Sequence, residues 1–315
     1  MRELKGNTYL FKMVTLHYVS LSFSAKWLTL VDRLSRYSLS AYYDFFYGKS
    51  NKLPWNRRYG LGKLQHFFIT QRVEEELMKT LAIQGSSRPN KSNTGIILQE
   101  FLKGASSQGA KIETIYLKEK NINFCIGCNT CWIKTPGVCI FKDDMPELLD
   151  KVIECDILVY ATPLYNYNMT SLLKRFQERL HPLIDPHLVK TGETYRHPQR
   201  YGKGRKMVLI STCGLPEISH FEGLRQIFRQ IERSSQIQLI GELLVPTAEL
   251  LRKESLQEKM GVILQAAYQA GIEVISEGKV SKQVEDQIQK SPLTPDEMAE
   301  MANRWWDTHI KRIDR

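Results

Sequence analysis

From Lys79 onward the sequence alternates between two hydrophobic periods. Thr80–Gln84 is a short apolar run ended by Gly85-Ser86-Ser87, and Ile97, Phe101, Leu102 and Ala105 then recur at helical spacing up to Gly109. Lys111–Leu117 predicts a second strand. Asp144-Met145-Pro146-Glu147 reads as a capping box with proline in the first turn, ahead of a stripe of Leu148, Leu149, Val152 and Ile153. Asp156–Thr162 is continuously apolar, as a strand covered on both faces should be. A helix around Ser171–Leu180, a strand Lys206–Thr212, a helix Phe221–Ser234, a strand Ile237–Pro246 and a helix Leu256–Ala270 complete the alternation. Thr294-Pro295-Asp296-Glu297 caps a last helix carrying Met298, Met301, Trp305 and Ile310.

Five strands alternating with helices predict an α/β fold, a doubly wound five-stranded parallel sheet. Right-handed crossovers leave few topologies, and the flavodoxin-like order 2-1-3-4-5 is the one expected here. Ligands of such sheets sit beyond the carboxyl ends of the strands, at the switch point between the first and third. That singles out the loops after Gln84, Thr162 and Ser211. The chain is expected to divide into an N-terminal extension over 1–77, a flavodoxin-like domain over 78–275 and a C-terminal helical arm over 276–315.

The first quarter reads unlike the rest. Val19, Leu21, Phe23, Ala25 and Trp27 alternate with serines and Lys26, and Tyr42–Tyr47 is densely aromatic. Of the formal net charge of +10 over 315 residues, most falls within residues 1–77. The remainder is nearly balanced, so the basic excess does not argue for a nucleic-acid partner. No apolar run reaches the ~18 residues of a membrane span. Glu74-Glu75-Glu76-Leu77-Met78 is what purine-rich codons just upstream of an ATG would encode. Met78 is therefore expected to be the biological start, with residues 1–77 wholly or partly an untranslated extension. Nothing marks the chain as secreted, and a cytoplasmic location is expected.

The loop Gly85–Thr94 supplies hydroxyls, amides, an arginine and a helix N-terminus, which together suit a phosphate. It has neither G-x-G-x-x-G nor G-K-[ST], so a monophosphate fits better than a dinucleotide or a Walker site. Thr162–Asn168 offers aromatic and amide groups that can stack on a flat ring and bond its edge, although a packed turn would read alike. Ser211–Leu215 offers backbone groups and a small residue where a ring can approach.

Cys125, Cys128, Cys131 and Cys139 form C-x2-C-x2-C-x7-C, four of the six cysteines. Closely spaced thiolates converge on one metal centre without long loop closures, and this spacing is nearer to iron–sulfur ligation than to the two separated pairs of a zinc site. The same run also reads as reduced structural thiols round a tight turn packed by Trp132 and Pro136. Cys155 reads as core and Cys213 as a pocket wall. The seven histidines form no ligand pair.

Gly85–Thr94, the run Cys125–Cys139 followed by Asp143-Asp144-Met145, and Thr162–Tyr165 with Leu173-Lys174 resemble the NAD(P)H-dependent FMN reductase-like flavoproteins of the flavodoxin-like superfamily. Within that group the four-cysteine run resembles the iron–sulfur flavoproteins. The resemblance covers roughly residues 79–250. It implies that Ser86, Arg88, Ser92, Asn93 and Thr94 bind the FMN phosphate, that Pro163, Leu164, Tyr165 and Asn166 line the isoalloxazine, and that Thr212 and Gly214 close the pocket. It further implies a [4Fe-4S] cluster on Cys125, Cys128, Cys131 and Cys139, NAD(P)H as co-substrate, a small-molecule or protein redox acceptor, and homo-oligomers. The basic stretch Arg196, Arg200, Lys203, Arg205 and Lys206 would attract a nicotinamide-cofactor phosphate or an acidic redox partner, or simply be a solvated connection. Two other readings stay open: a cluster-free FMN reductase acting on quinones or nitro compounds, and a flavodoxin-like electron carrier that turns over no small substrate. A zinc-binding module is the weakest.

Overall fold

A computed structural model describes residues 77–88, 91–201, 204–235 and 237–313. The expected extension over 1–77, Leu77 apart, lies outside the described residues, as do Pro89, Asn90 and Lys203. The elements run β1 (Lys79–Gln84), α1 (Asn93–Ser107), β2 (Lys111–Tyr116), the short α2 (Thr130–Ile133), α3 (Met145–Glu154), β3 (Ile157–Pro163) and α4 (Ser171–Glu178). A hairpin of β4 (Val189–Thr191) and β5 (Thr194–Arg196) follows, then β6 (Lys206–Thr212), α5 (Glu222–Ser235), β7 (Gln238–Val245), α6 (Gln257–Ser276), α7 (Lys282–Ile288) and α8 (Pro295–Ile313).

The main sheet has five parallel strands in the order β2-β1-β3-β6-β7. This is the expected flavodoxin-like order, with the hairpin interposed in sequence but not in the sheet. Alternation along each strand sends side chains to two separate cores. Ala82, Val159, Ala161, Val208 and Ile210 face α1 and α6. Leu81, Ile83, Leu158, Tyr160, Met207 and Leu209 face the side covered by α3, α4 and α5. Both faces being buried is why these strands read as unbroken apolar runs. The switch point lies between β1 and β3, whose crossovers leave on opposite faces.

On the first face α1 and α6 cross at glycines. A methyl group at Gly104 would overlap the Tyr268 carbonyl oxygen, and one at Gly271 would overlap that of Phe101. Backbone-to-backbone contact at this crossing anchors α1, and with it the loop at its N-terminus.

Two local expectations need correction, and two elements were not foreseen. Asp144 makes no side-chain cap on α3. Its carboxylate accepts the Asn121 N–H at 2.7 Å and ties down the loop after β2, while Asp143 Oδ1 accepts the Met145 N–H at 3.1 Å. The helix after β7 does not stop at Ala270 but runs to Ser276. The hairpin and α7 were not anticipated; Val284 and Ile288 of α7 bury into the α1–α6 core. The Thr294 capping box does form: Thr294 N–H donates to Glu297 Oε2 at 2.8 Å and Glu297 N–H to Thr294 Oγ1 at 3.3 Å. Of the helix it opens, Met298 is buried, while Trp305 and Ile310 are exposed. Among the described residues no helix is long and apolar enough to cross a membrane.

Candidate flavin site and cysteine cavity

Three loops at the carboxyl edge of the sheet enclose one open cavity of about 310 Å³, at the lower end of the usual range for small-molecule sites. The first leaves β1. Gly85 N–H donates to the Ala161 carbonyl at 2.7 Å, and the Gly85 carbonyl accepts from Thr170 Oγ1 at 2.7 Å, so the loop departs from a fixed backbone. Arg88 N–H donates to Ser86 Oγ at 3.2 Å. Ser92, extended at φ −94°, ψ 144°, caps α1 by accepting the Gly95 N–H at 2.9 Å. Thr94 is buried on the first turn, its Oγ1 2.6 Å from Thr212 Oγ1. That hydrogen bond joins the β1 loop to the β6 loop across the switch point.

The second loop leaves β3. Leu164 N–H donates to the Thr212 carbonyl at 2.8 Å. Tyr165 and Asn168 exchange backbone hydrogen bonds of 2.8 and 3.0 Å around Asn166 (φ 48°) and Tyr167 (φ 62°). Positive φ at both central residues gives the tight hairpin turn that asparagine tolerates best. The turn leaves Tyr165, which lines the cavity, 47% exposed, and Tyr167, which does not, 56% exposed. The third loop leaves β6: Cys213 N–H donates to the Val245 carbonyl, and Ala248 N–H to the Cys213 carbonyl. Burial pushes the Cys213 thiol up, with Glu249 acting in the same direction.

The cavity is bordered by all of the expected cofactor residues except Asn166, which sits at the exposed tip of the β3 turn. It also takes in Lys91, Cys213, Ala248, Glu249 and Arg252. The last three come from a 3-10 turn, Ala248–Arg252, that follows β7 after Thr247 in the left-handed region. Arg252 reaches across to donate from Nε to Asn93 Oδ1 at 2.9 Å. The cavity therefore has a polar, cationic end: Arg88, Lys91, Arg252, the hydroxyls of Ser86, Ser92 and Thr94, and the N-terminus of a 15-residue helix. Dipole and donors there suit a phosphate dianion. Pro163, Leu164 and Tyr165 give the other end the apolar and aromatic surface a flat ring needs.

The cysteine loop leaves the carboxyl end of β2, the edge strand beside β1. Cys125, Cys128, Cys131 and Cys139 border one further cavity, which shares no lining residue with the first. Asn129, left-handed at φ 53°, starts α2, and Gly137 at φ 85° turns the chain back so that its N–H meets the Cys131 carbonyl at 2.9 Å. Cys128 is exposed, and hydrogen bonds from the Thr130 side chain and backbone hold its thiol below the usual range. Burial pushes the Cys131 thiol up, and the neighbouring Cys139, Cys125 and Cys128 add to it. Four cysteine sulfurs around one cavity form a soft donor set suited to an iron or zinc centre. Among the described residues no three His, Cys, Asp or Glu side chains converge closely enough for a single metal ion. The thiols ring the cavity instead of meeting at a point.

Two arginines one turn apart, Arg175 on α4 and Arg179 at its C-cap, hold this loop. Arg175 Nη1 donates to the Ile122 carbonyl at 3.1 Å, and its guanidinium lies 4.3 Å from the Phe124 ring centroid. Arg179, fully buried, donates from Nη1 to Asp143 Oδ2 at 2.6 Å and to the Asn123 carbonyl at 2.8 Å, and from Nη2 to Asp143 Oδ1 at 3.1 Å. Burial opposes the Asp143 charge, but the donors from Arg179, Asn123 and Met145 outweigh it and hold the carboxyl at about 2. On the far side Trp132 stacks on His181 at 4.3 Å and meets His197 at 4.9 Å, so two histidines do come together here, around an indole.

Residues 78–234 match the sequence profile of the NADPH-dependent FMN reductases. This segment belongs to that family. An iron-sulfur flavoprotein of Archaeoglobus fulgidus is 35% identical over 142 residues, covering 44% of this chain and 58% of the relative. One of Methanocaldococcus jannaschii is 38% identical over 106 residues, 34% of this chain and 53% of the relative. The chain thus spans about half the length of these curated relatives. An FMN-dependent NADH-azoreductase of Bacillus anthracis has a TM-score of 0.47 at 17% identity, over 64% of this chain and 99% of that structure.

Within the FMN reductase segment the basic stretch is not a free cationic patch. Arg205 is buried and donates to the Val152 carbonyl at 3.0 Å, Arg200 pairs with Asp185 at 3.3 Å, and Arg196 donates to Thr191 Oγ1 at 2.7 Å. Lys206 reaches the Gly278 carbonyl at 3.5 Å. Arg205 and Lys206 tie the stretch to α3 and to the segment after α6, while Arg196 bonds within the hairpin and Arg200 joins its flanks. The cavity cations that sequence reasoning passed over are Lys91 and Arg252. The topological rule that pointed to three loops extends to the carboxyl end of the fifth strand, and applying it there finds Glu249 and Arg252.

Proposed function

We propose that this chain is an FMN-dependent oxidoreductase that accepts electrons from NAD(P)H and passes them to a small-molecule or protein acceptor. The observation that carries the reading is one cavity at the switch point with a cationic, hydroxyl-rich end on a helix N-terminus and an aromatic end on the β3 loop. Membership of residues 78–234 in the FMN reductase family supports it. Bound FMN supplies the redox chemistry itself, taking a hydride equivalent and releasing electrons.

The chain's own residues bind and orient. Ser86, Arg88, Ser92, Asn93 and Thr94 hold the phosphate, with Lys91 and Arg252 adding charge. Pro163, Leu164, Tyr165, Thr212 and Gly214 border the ring, and Asn166 shapes the turn that presents Tyr165. No acid–base pair is required of the protein. Cys125, Cys128, Cys131 and Cys139 would hold a [4Fe-4S] cluster, which would supply one-electron transfer; the similarity to iron-sulfur flavoproteins and the four cysteines on one loop support this, although the cavity they line, about 20 Å³, would have to widen to admit it. Phe124, Ile126, Ile133, Val138 and Ile140, all exposed around the cysteines, support homo-oligomers in a cytoplasmic protein.

Anaerobic purification of the full chain, followed by a visible spectrum and assays of flavin, iron and acid-labile sulfide, tests this. Flavin bleached by NADH or NADPH is expected. Iron and sulfide alongside it mark the cluster-bearing form, flavin without them the cluster-free reductase, and flavin that neither nicotinamide reduces an electron carrier. Absence of flavin would overturn the reading.

A further inference from the structure

Arg179 is the one buried guanidinium on the wall of the cysteine cavity, and its hydrogen bonds are unevenly distributed. Nη1 and Nη2 are taken by Asp143 and the Asn123 carbonyl. Nε is buried and has no partner among the described residues. A buried N–H without an acceptor points to one that belongs there; of the four described arginines with such an Nε–H, Arg175, Arg179, Arg200 and Arg205, only Arg179 lines this cavity. Asp143 fixes the guanidinium plane bidentately through the two Nη groups, which leaves the Nε edge held in place and free of Asp143. The Cys139 sulfur lies within hydrogen-bonding reach of this guanidinium and reinforces its charge, so a cysteine expected to hold the cluster is already beside the arginine.

We propose that Arg179 is a positioning residue for the sulfur centre: its Nε–H donates to a sulfur of the cluster held by the four cysteines and raises the cluster's reduction potential. This rests on the cluster reading above. One-electron reduction adds a negative charge to the cluster, so a donor to sulfur stabilises the reduced form more than the oxidised one. Asp143 neutralises the arginine at close range, so the hydrogen bond carries the effect more than net charge does. Arg175 also donates to this loop but does not line the cavity, and it is excluded from the role.

The test uses the full-length holoprotein, prepared anaerobically, with Arg179→Lys keeping the charge but losing the planar fork. A redox titration followed by EPR is expected to show the variant's cluster about tenfold harder to reduce, a potential roughly 59 mV more negative for one electron, with the flavin potential unmoved. Wild-type protein labelled with guanidino-15N arginine is expected to show 15N hyperfine coupling to the reduced cluster, and this holds even if the variant folds poorly. Iron and sulfide present with no such coupling, or with an unchanged potential in the variant, would overturn the proposal alone. Wild-type protein without iron or sulfide would overturn the cluster reading and this proposal with it.

Discussion

In the cavity proposed for FMN, Ser92 accepts the Gly95 N–H while lining the space assigned to the phosphate. Replacing Ser92 with alanine removes the cap, at a cost of about 1 kcal/mol, and weakens FMN binding. Ser92→Asp keeps a cap acceptor but adds negative charge beside the phosphate. It should therefore retain stability in urea unfolding while losing far more affinity in an FMN fluorescence titration. A structural hydroxyl with no phosphate role would give the opposite ranking. Asp143 makes a different kind of residue-scale prediction. Its folded carboxyl titrates at about 2 against an ordinary 3.8. Its ionised form therefore stabilises the fold by about 2 kcal/mol at neutral pH. That contribution is fully present above about pH 4 and is lost as pH falls towards 2. Asp143→Asn should cost about 3–5 kcal/mol at pH 7 by stranding the buried Arg179, and should flatten the loss of stability between pH 4 and 2 in denaturant titrations. That Ser86, Ser92 and Thr94 line one cavity was legible in the sequence, because the topology puts the loop between the first strand and its helix at the switch point. Arg179 was not, because nothing in a helix-forming stretch distinguishes a surface arginine from one paired with Asp143.

Among the elements, the strands were the most legible, because burial on both faces makes them unbroken apolar runs of the right length. Lys206–Thr212 has the same bounds in the structure as in the pattern. The hairpin Val189–Arg196 escaped because its strands are three residues each and exposed, with no alternation to read. The turn Ala248–Arg252 escaped for a related reason: it is a single 3-10 turn set by the left-handed Thr247, too short for any period. The closeness of α1 and α6 is visible only in three dimensions, although its agents, Gly104 and Gly271, lie in plain helical stretches. Gly271→Ala is expected to destabilise by about 1–3 kcal/mol, since the added methyl meets the Phe101 carbonyl oxygen and the helices must part. The change should appear as a lowered thermal midpoint. FMN affinity should fall with it, because α1 carries the phosphate end of the cavity.

At the scale of the whole molecule, charge and composition said little about partners, while topology said most. The order β2-β1-β3-β6-β7 brings loops from sequence positions near 85, 165, 213 and 249 to one edge. No local motif joins them; the crossover rule does. The same order sets the cysteine loop of β2 beside the β1 loop, so the proposed cluster would lie on the same sheet edge as the proposed flavin. Titration of FMN into the flavin-free full-length chain, followed by quenching of flavin fluorescence, tests the central claim most directly. One FMN should bind per chain, with affinity lost in Ser92→Asp and retained in Cys125→Ser. Failure to bind FMN, or binding indifferent to Ser92→Asp, would contradict the assignment of this cavity.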